Sequence, residues 1–298
     1  MGERPLVGTS VVVTRPAEQA EALARPLENL GADVLLVPTI RIVPVPLGDE
    51  IRTAVTRLAE YQLVVFTSVN GVVEFLGRMA ECGVAPEALA GATVAAIGPR
   101  TAAALAARGV AVGLVPEEYV AEGLLAALEA AGQGSPAGAL GGRPTSHVRG
   151  APARVLLPRA REAREVLPDT LRERGAIVDV LPVYDTVPVE GLALPLDRIA
   201  AADYLTFTAA STAEHFVELA RRALCDESPA GAGGDEGEGA GGPLAKRLAG
   251  ARIVSIGPAT SEAVRAVGLT VALEAADHDV HGLVSAIVAD VASRSASA

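Results

Sequence analysis

Apolar residues fall in short, continuous runs along this chain, and polar residues gather in the turns that follow them. The first run is Ser10–Thr14, built on three valines and followed by Arg15-Pro16. From about Ala17 to Leu30 the spacing becomes helical, with Leu23, Leu27 and Leu30 on one face, and Gly31 stands where a helix would end. Ala32–Val37 is a second apolar run, and it leads into Val37–Pro44, an eight-residue stretch reading VPTIRIVP with proline second and last. Proline fixes φ and removes a donor, so this stretch is expected to be an extended connector leaving a packed unit.

A different pair of units comes next. Leu63–Phe66 (LVVF) predicts a buried strand, and Thr67-Ser68-Val69-Asn70-Gly71 leads from it into a helix carrying Phe75. Thr93–Ile97 predicts another strand, broken by Gly98-Pro99 before a helix over Arg100–Arg108 that stops at Gly109. A short strand near Val110–Val115 and a helix over Val120–Ala130 complete this part. Strands alternating with helices imply parallel sheets with helices on both faces.

Both kinds of unit return. Residues 158–188 repeat residues 14–44 at a constant offset of 144, with eleven of 31 positions identical, which indicates duplication. In this repeat Arg159 matches Arg15, Leu167 and Leu171 match Leu23 and Leu27, and Gly175 matches Gly31. The second connector, Leu181–Pro188 (LPVYDTVP), matches the first, but Tyr184 stands where the first has Ile40. Phe207-Thr208 and Phe216 match Phe66-Thr67 and Phe75 at offset 141, and Gly257-Pro258 and Thr260 match Gly98-Pro99 and Thr101 at offset 159. Two inserts rich in small and polar residues, Gly132–Pro152 and Asp226–Pro243, are expected to be surface loops. Repeat arithmetic allows two partitions. Either two domains follow one another with a split near residue 145, or the chain crosses over at the first connector and returns at the second, so that one domain contains both ends.

Composition narrows the function. At 298 residues there is material for two cores. A net charge of −11 argues against a general nucleic-acid or anionic-membrane surface, and 3% aromatics with no Trp leave little for stacking bases. Lys246 is the one lysine among 25 basic residues; the others are planar guanidinium forks suited to carboxylates. Cys82 and Cys225 make no disulfide framework, and the sequence carries neither a leader-like start nor an apolar run long enough for a membrane span. The expected setting is cytoplasmic.

The chemistry-bearing residues collect at the carboxyl ends of the expected strands, where ligands bind in open parallel sheets. They are Arg15, Thr67, Ser68, Asn70, Thr101, Arg159, Thr208, Ser211 and Thr260. Helix starts present unpaired N–H groups and partial positive charge, so hydroxyls and arginines placed there suit anions. The same residues would also serve as helix caps, turn formers and ion-pair partners. The Ile-Gly-Pro-x-Thr turns are not a dinucleotide fingerprint. His278 and His281 have a spacing that would suit a metal, but their repeat counterparts are Tyr119 and Glu122, which argues against one. His215 stands opposite Glu74 in the repeat, and His147 lies in the first insert.

Taken in order, VVVTRP (Val11–Pro16), VVFTSVNGV (Val64–Val72), AAIGPRTAAAL (Ala95–Leu105), LPRAREAREVLPDTLRERGA (Leu157–Ala176), VYDTVP (Val183–Pro188) and SIGPATSEAV (Ser255–Val264) resemble the uroporphyrinogen-III synthase family over nearly the whole chain. The resemblance implies two similar doubly wound parallel-sheet α/β domains of flavodoxin-like type, joined by a two-stranded β-ladder. It implies that residues 1–38 with 188–298 form one domain, 45–181 the other, and 39–44 with 182–187 the ladder. It implies a monomeric lyase that cyclises the linear tetrapyrrole hydroxymethylbilane to uroporphyrinogen III, inverting the last ring and losing water. No cofactor and no metal are implied, and substrate carboxylates would be held in an interdomain cleft, largely by backbone N–H groups. Tyr184 matches the tyrosine proposed as the acid in the family. Ser68, Thr101 and Thr260 match its turn residues, whereas Phe207–Thr212 departs from the usual Ser-Pro-Ser-Gly turn and leaves Ser211 the weaker match. A non-catalytic protein of the same fold that holds a tetrapyrrole or another polyanion is the alternative.

Overall fold

The computed structural model describes residues 4–132, 152–227 and 242–296; most of both inserts, with His147, lies outside them. The chain forms two compact units, residues 1–41 with 187–298 (unit 1) and residues 42–186 (unit 2). Each is a parallel sheet with helices on both faces.

In unit 1 the strands are β1 (Ser10–Val13), β2 (Asp33–Leu36), β8 (Tyr204–Phe207), β9 (Arg252–Ser255) and β10 (Val271–Glu274), in the order β10-β9-β8-β1-β2. The side chains of its central strands alternate between two cores. Val12, Leu205 and Phe207 face one, with α7 (Leu196–Ala200), α8 (Ala210–Glu227), α9 (Pro243–Arg247) and α10 (Pro258–Ala266) over it. Val11, Val13 and Tyr204 face the other, covered by α1 (Ala17–Asn29) and α11 (Val280–Ser295) through Leu23, Leu27, Leu283 and Ile287. Burial on both faces explains why these strands read as unbroken apolar runs.

Unit 2 repeats the arrangement with its strands in a different chain order. β4 (Leu63–Phe66), β5 (Thr93–Ala96), β6 (Arg154–Ala160) and β7 (Ile177–Pro188) lie as β7-β6-β4-β5, and β3 (Ile40–Pro44) adds to the β7 edge. One core lies under α2 (Asp49–Thr56), α3 (Val69–Glu81) and α4 (Pro99–Ala106), and the other under α5 (Ala121–Gly132) and α6 (Val166–Glu173). The repeat is visible in matching ring pairs: Phe66 and Phe75 have centroids 5.9 Å apart, and Phe207 and Phe216 have centroids 5.5 Å apart.

The two connectors are parts of β3 and β7. The Val45 N–H donates to the Val183 carbonyl (3.0 Å), and the Val189 N–H donates to the Thr39 carbonyl (3.1 Å). Partners whose numbers rise on one strand and fall on the other make this pair antiparallel. The second connector is not a separate element, since strand and connector run on as the twelve residues of β7.

One expected strand is nearly lost. Of Val110–Val115, Leu114 alone forms a bridge, to Ala95. In unit 1 the corresponding β10 is followed by Ala275, whose N–H bonds the Ser255 carbonyl at 3.0 Å. Pro116 occupies that place in unit 2 and has no N–H to give, so the pairing cannot extend.

Candidate active site

In a sheet of this order the crevice opens at the strand carboxyl ends where the order reverses. That point lies between β1 and β8 in unit 1 and between β6 and β4 in unit 2. In unit 1, β1 and β8 stay in register through Val13 and Thr206, and the Thr14 hydroxyl donates to the Thr206 carbonyl at 2.8 Å. In unit 2 the β4–β6 register stops one pair earlier, at Val64 and Leu156.

The start of α3 lies at this edge of unit 2. Ser68 caps the helix, its Oγ accepting from the Gly71 N–H at 3.0 Å. Gly71 sits so close to β6 that a β-carbon there would come within 3.0 Å of the Pro158 carbonyl oxygen. The second partner of Ser68 Oγ is the Tyr184 hydroxyl, 3.0 Å away. Thr67 and Asn70 flank Ser68, both half-buried.

Tyr184 reaches Ser68 because of a β-bulge. Along β6 and β7 the register runs from Arg154–Ile177 to Arg159–Pro182, and then Ala160 pairs with Tyr184, so Val183 is the extra residue. Regular alternation would put Tyr184 on the face opposite Leu181 and Val183. Instead all three belong to the core on the α3 side. Pro158 and Pro182 supply no N–H groups to the ladder just before the shift, which favours a bulge at this point. Tyr184 is only 7% exposed, and burial pushes its phenol up, against a smaller downward pull from the Ser68 hydrogen bond. A phenol is protonated at neutral pH in any case, and burial moves it further from ionising.

The two arginines are buried, each 4% exposed. Arg159 donates to the Arg164 carbonyl (2.8 Å) and to the Glu165 carboxylate, so its guanidinium braces the start of α6. Arg15 donates to Gln19 Oε1 at 3.0 Å, within the first turn of α1. Thr101 and Thr260 are the third residues of α4 and α10, both buried. Those helices begin at Gly98 and Gly257 with Pro next, and neither has a side-chain cap. A ring lies against each glycine. A β-carbon at Gly257 would be 3.0 Å from His278 Cδ2, and one at Gly98 would be 3.6 Å from Tyr119 Cβ. In unit 1, Thr208 and Ser211 are half-buried at the start of α8, and the Ser211 carbonyl contacts His215 Nδ1 at 2.8 Å.

Of the residues anticipated from sequence, Ser68 and Tyr184 are thus joined directly. Arg15 and Arg159 are bonded within their own units. Two polar positions at the unit 1 edge escaped notice. Thr39 is fully buried, and its hydroxyl donates to the Thr212 carbonyl at 3.2 Å. Ser261 is fully buried between Ser255 Oγ, at 2.6 Å, and the Glu274 carboxylate. In the sequence Thr39 stands out as a polar residue among the apolar ones of VPTIRIVP, whereas Ser261, between Thr260 and Glu262, carries no such signal. Among the described residues no group of three or more His, Cys, Asp or Glu is placed to hold a metal ion, and no helix is long and apolar enough to cross a membrane.

The family model of uroporphyrinogen-III synthase HemD matches residues 21–285, through both units and both connectors. The chain belongs to the uroporphyrinogen-III synthase family. It is 28% identical over 295 residues to the uroporphyrinogen-III synthase of Synechococcus elongatus, covering 96% of this chain and 97% of that one. It is 32% identical over 226 residues to a putative uroporphyrinogen-III synthase of Methanothermobacter thermautotrophicus, covering 70% and 77%. Among solved structures, a mutant uroporphyrinogen III synthase from the extremely thermophilic bacterium Thermus thermophilus superposes with a TM-score of 0.64 over 96% of this chain and 99% of that one, at 22% identity. That likeness establishes the two-domain α/β fold with parallel sheets.

Proposed function

We propose that this protein is a uroporphyrinogen-III synthase, a cyclising lyase of tetrapyrrole biosynthesis that closes hydroxymethylbilane into uroporphyrinogen III. The observation that carries the reading is the family match, which spans residues 21–285 and so includes both connectors. The local chemistry supports it. The substrate is a polycarboxylate, and the uncapped starts of α4 and α10 offer N–H groups of the kind that receive carboxylates.

The reaction needs an acid to help a hydroxyl leave. Tyr184 supplies one: a buried, protonated phenol with its hydroxyl at the carboxyl edge of unit 2. The phenol gives its proton as the carbon–oxygen bond breaks, and both bonding electrons leave with oxygen as water. The positive charge spreads over the pyrrole nitrogen. Ring closure later releases a proton, which returns to the phenolate. Thr67, Asn70, Thr101, Thr208, Ser211 and Thr260 hold the substrate side chains, with hydroxyls and amides at the helix starts. Arg15 and Arg159 contribute by fixing the first turns of α1 and α6. A positioned acid is worth about 10²–10⁴ in rate, so Tyr184→Phe lowers turnover without abolishing it.

The test is cyclisation of hydroxymethylbilane by the purified protein, with the product isomers separated. Rapid formation of the III isomer is expected. Appearance of the spontaneous I isomer alone would overturn the reading, and tight tetrapyrrole binding without turnover would make this a binding protein on a synthase fold.

A further inference from the structure

The duplication provides an internal comparison for the Ser68–Tyr184 pair. Tyr184 corresponds to Ile40 (184 − 144 = 40), and Ser68 corresponds to Ala209 (68 + 141 = 209). Both matching positions are therefore apolar, Ala209 at the start of α8 in unit 1 and Ile40 at the first residue of β3, where the chain leaves that unit. Ile40 is buried at 3% exposure, so an aliphatic side chain satisfies this place in the architecture. A helix start at this point does not require a serine either, since α8 begins after Ala209. Two hydroxyls that the fold can do without occur together in one unit, and a bulge brings them within 3.0 Å of each other.

We propose that Ser68 is a positioning residue for Tyr184, aiming the phenol proton at the substrate and holding the phenolate once that proton has gone. This rests on the reading of Tyr184 as the acid. Ser68 Oγ accepts from the Gly71 N–H, which leaves its own hydrogen to donate to the Tyr184 oxygen. The phenol proton is then free to point away from Ser68. When it has been transferred, the phenolate oxygen keeps the Ser68 hydrogen bond, polarised in turn by the amide at the start of α3. With Ile40 and Ala209 at the matching positions, the other copy of the repeat has no equivalent of this pair.

The experiment is a double-mutant cycle on the full chain with Ser68→Gly, Tyr184→Phe and both together. Glycine starts a helix nearly as well as serine, so Ser68→Gly removes the hydroxyl and spares α3. The expected result is a loss of about tenfold in kcat with KM unchanged, no further loss when Ser68→Gly is added to Tyr184→Phe, and recovery in Ser68→Thr. Additive losses, or a change confined to KM, would overturn the proposal and make Ser68 a substrate ligand. A second measurement does not depend on the reaction. Of the four tyrosines, the one whose ultraviolet alkaline titration disappears in Tyr184→Phe is expected to titrate at higher pH in Ser68→Gly. An unmoved curve refutes the positioning role whatever the protein catalyses. If the wild-type chain forms no III isomer, the proposed activity fails, and this titration alone decides whether Ser68 governs Tyr184.

Discussion

Three of the four tyrosines are buried, and their hydroxyl partners separate structure from chemistry. Tyr61 donates to Asp179 and Tyr204 to Asp290, each at 2.7 Å. Burial, and after it the facing carboxylate, opposes loss of either proton; Tyr204 is pushed from 10.0 up to about 12. Burial raises Tyr184 as well, but its partner is a neutral hydroxyl, which opposes part of that rise where the carboxylates of the other two add to it. The Tyr204 shift has a consequence for stability. A phenol whose folded value is raised contributes fully below pH 10, and that contribution is lost as pH rises through the folded value near 12. For Tyr204 this is on the order of 2 kcal/mol. Urea unfolding followed from pH 9 to about pH 12 is expected to show a steeper decline for the wild type than for Tyr204→Phe. At this scale the sequence made Tyr184 stand out as the odd residue of a repeat, and Ser68 as a turn residue. It did not reveal their bond, because adjacent positions on a regular strand face opposite ways and only the bulge at Val183 turns the ring toward α3.

Among the elements, apolar runs and helical spacing were enough to read most strands and helices. Where the reading failed, backbone donors decided the outcome. Val110–Val115 has the composition of a strand, but Pro116 cannot make the bond that Ala275 makes in the other unit. Prolines also lie within β7, where the extended connector runs on from the strand as one element. The approach of α3 to β6 gives the element-level prediction. A methyl group at Gly71 would meet the Pro158 carbonyl oxygen at 3.0 Å, a backbone atom that cannot rotate away. Gly71→Ala is expected to cost about 1–3 kcal/mol in chemical denaturation and to lower turnover by displacing Ser68. Unchanged stability would mean that α3 can slide along the sheet.

At the scale of the whole molecule, the duplication and the α/β class were legible because eleven identities at one offset survive in the sequence. Repeat arithmetic alone left both partitions open, since an offset records which segments are alike and not which strands pair, and it was the family resemblance that implied the crossover. In the sheets, β1 lies between β2 and β8, strands more than half the chain apart in sequence, whereas β4 to β7 come from one continuous segment. A fragment of residues 42–186 is accordingly expected to unfold cooperatively on its own, monitored by circular dichroism, while residues 1–41 contribute two strands and one helix, too little for independent stability. The same feature sets a timetable for synthesis. As the chain leaves the ribosome, unit 2 has all its strands by Pro188 and can close around its core. The first 41 residues have no partner until β8 emerges. For most of translation the amino-terminal segment is an exposed apolar strand pair awaiting its neighbour, and there a chaperone would have the most to protect.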